Sequence, residues 1–113
     1  MELQISELPG QITCVRLQGR LDAPGADRAG TPLTAAIVAR GRPALIDLAG
    51  VEFIASLGIR LLISVARGLH TKGERLVLFG ARPLVGEVLE QAAIDQIIDV
   101  VATEDEACER LAA

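Results

Sequence analysis

The sequence predicts an α/β fold, a mixed β-sheet of four to five strands packed against about four helices. Three observations carry that expectation. The N-terminal stretch reads as two strands joined by a Pro9-Gly10 turn. After it, short apolar runs alternate with segments of helical period. Half of the 113 residues are hydrophobic, yet only Phe53 and Phe79 are aromatic. The core must therefore be aliphatic, and there is enough of it for one two-layer domain over residues 1–113.

Residues 3–7 are a first strand. A second begins near Ile12, with Val15 and Leu17 on one face and Cys14 and Arg16 on the other. The two should pair as an antiparallel hairpin, and Gly19-Arg20-Leu21-Asp22 should leave the sheet. Residues 23–31 hold Pro24, Gly25 and Gly30, which predicts an irregular or weakly helical connection. Thr31 suits a cap and Pro32 a first helical position, so a helix is expected through Leu33, Ile37 and Arg40, ending at Gly41. Ala44 to Leu48 reads as a central strand. A loop then leads to Ser56.

The longest helix is expected over 57–71. Leu61, Val65, Leu69, Leu62, Ala66, Ile59 and Ile63 sweep one apolar arc, and Arg60, Ser64, Arg67 and Thr71 gather opposite. Leu57 falls at the boundary. Arg75 to Phe79 is a further strand. Pro83 opens a helix whose Leu84, Val85, Val88, Leu89 and Ala92 should face the sheet. Ile97 to Val101 is a last extended segment. Thr103, with Glu106 three residues on, forms a capping box for a helix through Leu111.

Composition excludes several classes of function. The formal charge of −4 gives no electrostatic footprint for nucleic acid, and two aromatics offer little base stacking. No stretch approaches the roughly 18 apolar residues of a membrane span, and the N-terminus has no secretory pattern, so a cytoplasmic protein is expected. Cys14 and Cys108 are isolated and His70 is the only histidine. Both cysteines read as small hydrophobes, and neither a metal nor any other cofactor is expected. A Ser56–His70 pair would need the two ends of one helix, roughly 20 Å apart, to meet. Gly-x-x-x-x-Gly-Lys-Ser/Thr and Gly-x-Gly-x-x-Gly are both absent.

Residues 45–56 read Leu-Ile-Asp-Leu-Ala-Gly-Val-Glu-Phe-Ile-Ala-Ser, a buried strand and a loop that deliver Ser56 to a helix start. Serine is a preferred helix cap whatever the function. A helix start is also a place where an added phosphate is tolerated. The surrounding motifs bear on the choice. Gly19-Arg20-Leu21-Asp22, Leu45-Ile46-Asp47-Leu48-x-Gly50-Val51-x-Phe53-Ile54, Gly58-Ile59-x-x-Leu62, Leu76-Val77-Leu78, Val85-x-x-Val88-Leu89 and Glu106-Ala107 occur in an order and spacing that resembles the STAS domain family. That family contains anti-sigma factor antagonists and the cytoplasmic tails of sulfate transporters. The resemblance covers nearly the whole chain.

The resemblance implies a STAS-like fold and a binding protein that is not an enzyme. The family's helix entrance is commonly Asp-Ser-Ser/Thr-Gly, with the first serine phosphorylated. Here it is Ala55-Ser56-Leu57-Gly58. Ser56 holds the phosphorylated position, Ala55 replaces the acid, and Leu57 replaces the second hydroxyl. The implied partners are proteins, an anti-sigma factor serine kinase and a phosphatase. The implied docking surface comprises Asp22, Ala55, Ser56, Leu57, Gly58, Arg60 and Leu61. Leu57 and Leu61 supply apolar contact, and Arg60, four residues on, lies within reach of a phosphate. Asp22 reads equally well as a turn residue. Besides self-association through the leucines near the helix entrance or through the first-strand edge, two alternatives stay open. One is a STAS subunit of a lipid-transport or signalling complex that is never phosphorylated. The other is an enzyme or small-ligand carrier with a pocket near Ser56. A monomer or weak dimer is expected.

Overall fold

The computed structural model describes residues 1–112. Glu2–Leu8 (β1) and Ile12–Leu21 (β2) form the expected antiparallel hairpin, with Ile5 opposite Val15. Then follow Ala23–Ile37 (α1), Ala44–Ile54 (β3), Ser56–His70 (α2), Leu76–Phe79 (β4), Pro83–Gln91 (α3), Asp99–Val101 (β5) and Glu104–Ala112 (α4). The five strands lie in chain order in one sheet. β2 to β5 run parallel and β1 is the antiparallel edge. The mixed sheet with four helices is the architecture that the element order predicts.

Strand alternation decides the layers. Val15, Leu17, Ile46, Leu48 and Leu78 face one side and are sealed by Leu33 and Ile37 of α1, Leu62, Val65 and Leu69 of α2, and Val85 and Leu89 of α3. Cys14, Leu45, Val77 and Phe79 face the other side and pack with Ala107 of α4. The parallel strands are thus covered on both faces, as parallel sheets usually are. Each fully buried Leu, Ile or Val contributes about 1.5–3 kcal/mol relative to exposure, which is how a core whose one aromatic residue is Phe79 suffices. Cys14 is buried and Cys108 half-buried, and burial pushes both thiols up from their ordinary range. They pack as small hydrophobes, as expected.

Several boundaries differ from the sequence expectation, and the differences build the site. β2 does not leave the sheet at Gly19. It runs on to Leu21, paired with β3 through a bulged register that ends at Leu21 opposite Ile54. β3 likewise does not stop at Leu48. β4 reaches only as far as Phe79 opposite Asp47, so residues 48–54 pair with β2 alone. The result is a two-stranded ribbon that projects past the rest of the parallel sheet.

The connection 23–31 is fully helical rather than irregular, and Thr31 is not a cap. Asp22 is the cap, and its side chain accepts from Gly25 N–H at 2.9 Å. Pro24 lies in the first turn, where a missing N–H costs nothing. Pro32 sits inside the helix on its exposed face. The helix survives because Ala29, Leu33, Ala36 and Ile37 bury one continuous stripe. It ends at Ile37, before Arg40.

At the far side of the sheet, β5 is shorter than expected because Ile94–Gln96 forms a 3-10 turn and Ile97 is half exposed. Leu84 does not face the sheet. It is 60% exposed, while its neighbour Val85 is buried. The capping box is present: Glu106 N–H donates to Thr103 Oγ1 at 3.2 Å, and the Thr103 hydroxyl donates to the Glu106 carboxylate at 3.3 Å.

Candidate functional site

The site lies at the tip of the β2–β3 ribbon, where two helices begin. Parallel pairing makes this arrangement unavoidable. Because Leu21 and Ile54 are register partners, the residues that follow them, Asp22 and Ala55, emerge side by side. α1 starts at Ala23 and α2 at Ser56. Residues 33 positions apart in sequence, which sequence reading placed together only through family resemblance, are neighbours in space.

One carbonyl ties the two starts together. The Leu21 carbonyl accepts Ala55 N–H at 3.0 Å. It also lies 2.5 Å from where a Cβ on Gly58 would stand, with Leu21 Cγ at 2.7 Å and Ile54 Cγ1 at 3.1 Å. Only a hydrogen at position 58 lets the first turn of α2 settle on the end of β2. The same device serves α1, since a Cβ on Gly25 would stand 2.0 Å from the Arg20 carbonyl oxygen. Gly25 carried no signal in the sequence beyond low helix propensity. Its role comes from a neighbouring strand.

Ser56 is exposed, and it is not the helix cap. Ala55 occupies the cap position with extended backbone, φ −116° and ψ 177°, and no side chain caps α2. The reading of Ser56 as a plain cap therefore fails. The hydroxyl sits at the first helical position, outside the core, beside first-turn N–H groups that have no intrahelical partner. There is no acidic residue in that first turn. Substituting Ala55→Asp supplies the missing acceptor. It is expected to stabilise the domain by about 1 kcal/mol, read in thermal unfolding as a rise of roughly 4–8 °C.

Around Ser56 the other expected residues divide clearly. Leu57 is 46% exposed and Arg60 is exposed, while Gly58 is buried and Ala55 and Leu61 are half-buried. Leu61 lines a groove of about 640 Å³ between α1 and α2, together with Gly30, Thr34 and Val38. Asp22 is largely occupied with structure. Gly25 N–H, and then the Arg20 guanidinium at 3.4 Å, hold its carboxyl below the usual carboxylate range. A lowered folded-state pKa means that the cap is fully effective above about pH 4 and fades as pH falls through the folded value. Asp22→Ala should therefore lower the unfolding temperature at pH 7, and the gap to the unsubstituted chain should close in acid.

Sequence reading missed a second feature of this corner. Arg20 lies over the ring of Phe53, 4.5 Å from its centroid. The two are register partners on β2 and β3, and nothing local in the sequence pairs them. The stack covers one flank of the ribbon tip and keeps Arg20 beside Asp22.

The geometry weighs against the rival chemistries. α2 is unbroken from Ser56 to His70, which holds those two side chains about 20 Å apart. A groove of about 390 Å³ does contain His70, Arg67, Arg75 and Asp99, but it lies at the far end of α2, away from Ser56. Among the described residues there is no group of three or more His, Cys, Asp or Glu side chains placed to hold a metal. No helix of the described residues is long and apolar enough to cross a membrane.

A mixed five-stranded sheet with an exposed serine at a strand-to-helix junction, seated against a second helix start, defines a domain of the STAS class. The family model described as STAS domain matches residues 4–107, and the chain belongs to that family. It is similar to a Bordetella bronchiseptica protein provisionally named anti-sigma factor antagonist BtrV, with 28% identity over 107 residues, 95% of this chain and 91% of that one. It is also similar to the solved anti-sigma-factor antagonist (STAS) domain protein of Planctomyces limnophilus, with 27% identity, 98% of both chains covered and a TM-score of 0.87. The fold is shared with the Bacillus cell fate determinant SpoIIAA, solved in its phosphorylated form, with 22% identity, 96% of this chain and 98% of that one covered, and a TM-score of 0.69.

Proposed function

We propose that this chain is an anti-sigma factor antagonist that docks on an anti-sigma serine kinase through the ribbon tip and is released when Ser56 is phosphorylated. One observation carries the reading. The Ser56 hydroxyl is exposed at the first position of α2, with no structural duty as a cap. It stands amid Asp22, Leu57, Arg60 and Leu61, the residues that the family resemblance assigns to docking. The names of its relatives, anti-sigma factor antagonists, point the same way. The domain acts by binding. Any ATP belongs to the partner kinase, and a phosphatase resets the switch.

The energetics are adequate. A phosphate brings about −1.5 to −2 charge units. Within this chain the helix start favours an anion by roughly 0.3–2 kcal/mol, so the fold tolerates it. At a docked interface the same charge must be desolvated or meet like charge, at several kcal/mol. The modification can thus block docking without refolding the domain.

Ala55 favours a second reading, a STAS subunit of a lipid-transport or signalling complex that is never modified. The two readings part in a single assay. The chain is incubated with ATP and a serine kinase recovered with it from its native cells, then weighed intact. One added phosphate, lost in Ser56→Ala, is expected. An unchanged mass favours the second reading.

A further inference from the structure

Ser56 and Arg60 are four residues apart on one unbroken helix, so their side chains are surface neighbours. Helical side chains lean toward the helix N-terminus, which carries the arginine back over the turn that holds Ser56. Arg60 is exposed, and among the described residues it makes no ion pair. Of the other cations near this end of the sheet, Arg28 is exposed and, among the described residues, unpaired, but it sits on α1; the Met1 amino group lies beside Gly19 on the ribbon, and two arginines are engaged. Arg20 is held by Asp22 and by the Phe53 ring, and Arg82 donates to the Ala49 carbonyl at 2.8 Å. Acidic groups on the adjoining elements are Asp22 and Asp27 beside and within α1, and Glu52 on β3. Asp22 is paired with Arg20, and neither Asp27 nor Glu52 pairs with Arg60.

We propose that Arg60 is the internal receptor of the Ser56 phosphate, so that modification removes a cation from the docking surface as well as adding an anion; this rests on Ser56 being the modified residue. In the unmodified chain the guanidinium is open to a carboxylate of the docking protein. In the modified chain the phosphate oxygens accept its N–H groups in a charge-assisted pair. The net charge of the corner changes by the phosphate's own charge, but the guanidinium's donors are no longer open, so the partner loses a contact and meets an added anion together.

The test uses the full chain with phosphoserine inserted at position 56 during translation, so that no kinase is required. Phosphorus NMR follows the second ionisation of the phosphate, which lies near about pH 6 for an unperturbed phosphoserine. A neighbouring cation favours the dianion and lowers the midpoint. Arg60→Gln is expected to raise that midpoint by about 0.15–0.4 of a pH unit. Arg67→Gln, also an exposed arginine but about three turns from Ser56 along α2, is expected to leave it in place. Equal midpoints in the parent and Arg60→Gln, or an equal rise in Arg67→Gln, overturn the proposal. Either result leaves phosphorylation of Ser56 itself to be decided by the intact-mass assay.

Discussion

Ser56→Asp is expected to weaken binding to the docking protein about a hundredfold, a change of about 2.8 kcal/mol, while Ser56→Ala keeps it. The contrast follows from where the hydroxyl lies. It is exposed and caps nothing, so removing it takes away little from the fold and little from the contact area. A carboxylate at the same place puts a charge where a partner must exclude water. Beside it, Leu57 is 46% exposed, and under the proposed docking such a charge would disrupt its apolar contact. The fold itself should be indifferent or slightly favourable to Asp, because an anion at the first position of a helix is welcome. Titration calorimetry of the two variants against the purified partner, with their unfolding temperatures measured in parallel, separates lost docking from lost structure.

Gly58→Ala is expected to cost the domain about 2–4 kcal/mol, through overpacking against a backbone that has nowhere to go. The added methyl would stand 2.5 Å from the Leu21 carbonyl oxygen and 2.7 Å from Leu21 Cγ. That carbonyl already accepts the Ala55 N–H. Relief requires α2 to lift off the end of β2, which carries Ser56 away from Asp22. The matched control is Gly30→Ala, the same chemical change in α1. There the nearest atom is Leu61 Cδ1 at 3.9 Å, and alanine gains up to about 1 kcal/mol from helix propensity. Thermal unfolding should therefore move in opposite directions for the two variants. Partner binding should fall with Gly58→Ala and hold with Gly30→Ala, if the spacing of the two helix starts is what the partner reads.

Much of this was legible in the chain itself, and the failures share a cause. The hairpin, the five strands, the long α2 and the Thr103 capping box are local patterns, and local patterns suffice to predict them. The first half of α1 was hidden because Pro24, Gly25 and Gly30 disfavour a helix, and Pro32 read as a helix start rather than an interior residue. Gly25 is there to clear the Arg20 carbonyl, a contact with another element. The stretch after Leu48 read as a loop, yet Gly50 sits in β3 opposite Gln18 because β2 extends alongside. The Arg20–Phe53 stack depends on the same pairing. At the site, the position of Ser56 was readable from its setting. Its freedom from capping was not, because a shift of one residue in the helix start hands the cap to Ala55.

The most direct measurement is recovery of the chain from its native cells under conditions that preserve phosphate, followed by intact-mass analysis of the partner-bound and partner-free pools. The bound pool is expected to be unmodified, and the free pool to carry a single phosphate that maps to Ser56. A bound pool carrying that phosphate as often as the free one, or a phosphate that maps elsewhere on the chain, would contradict the account.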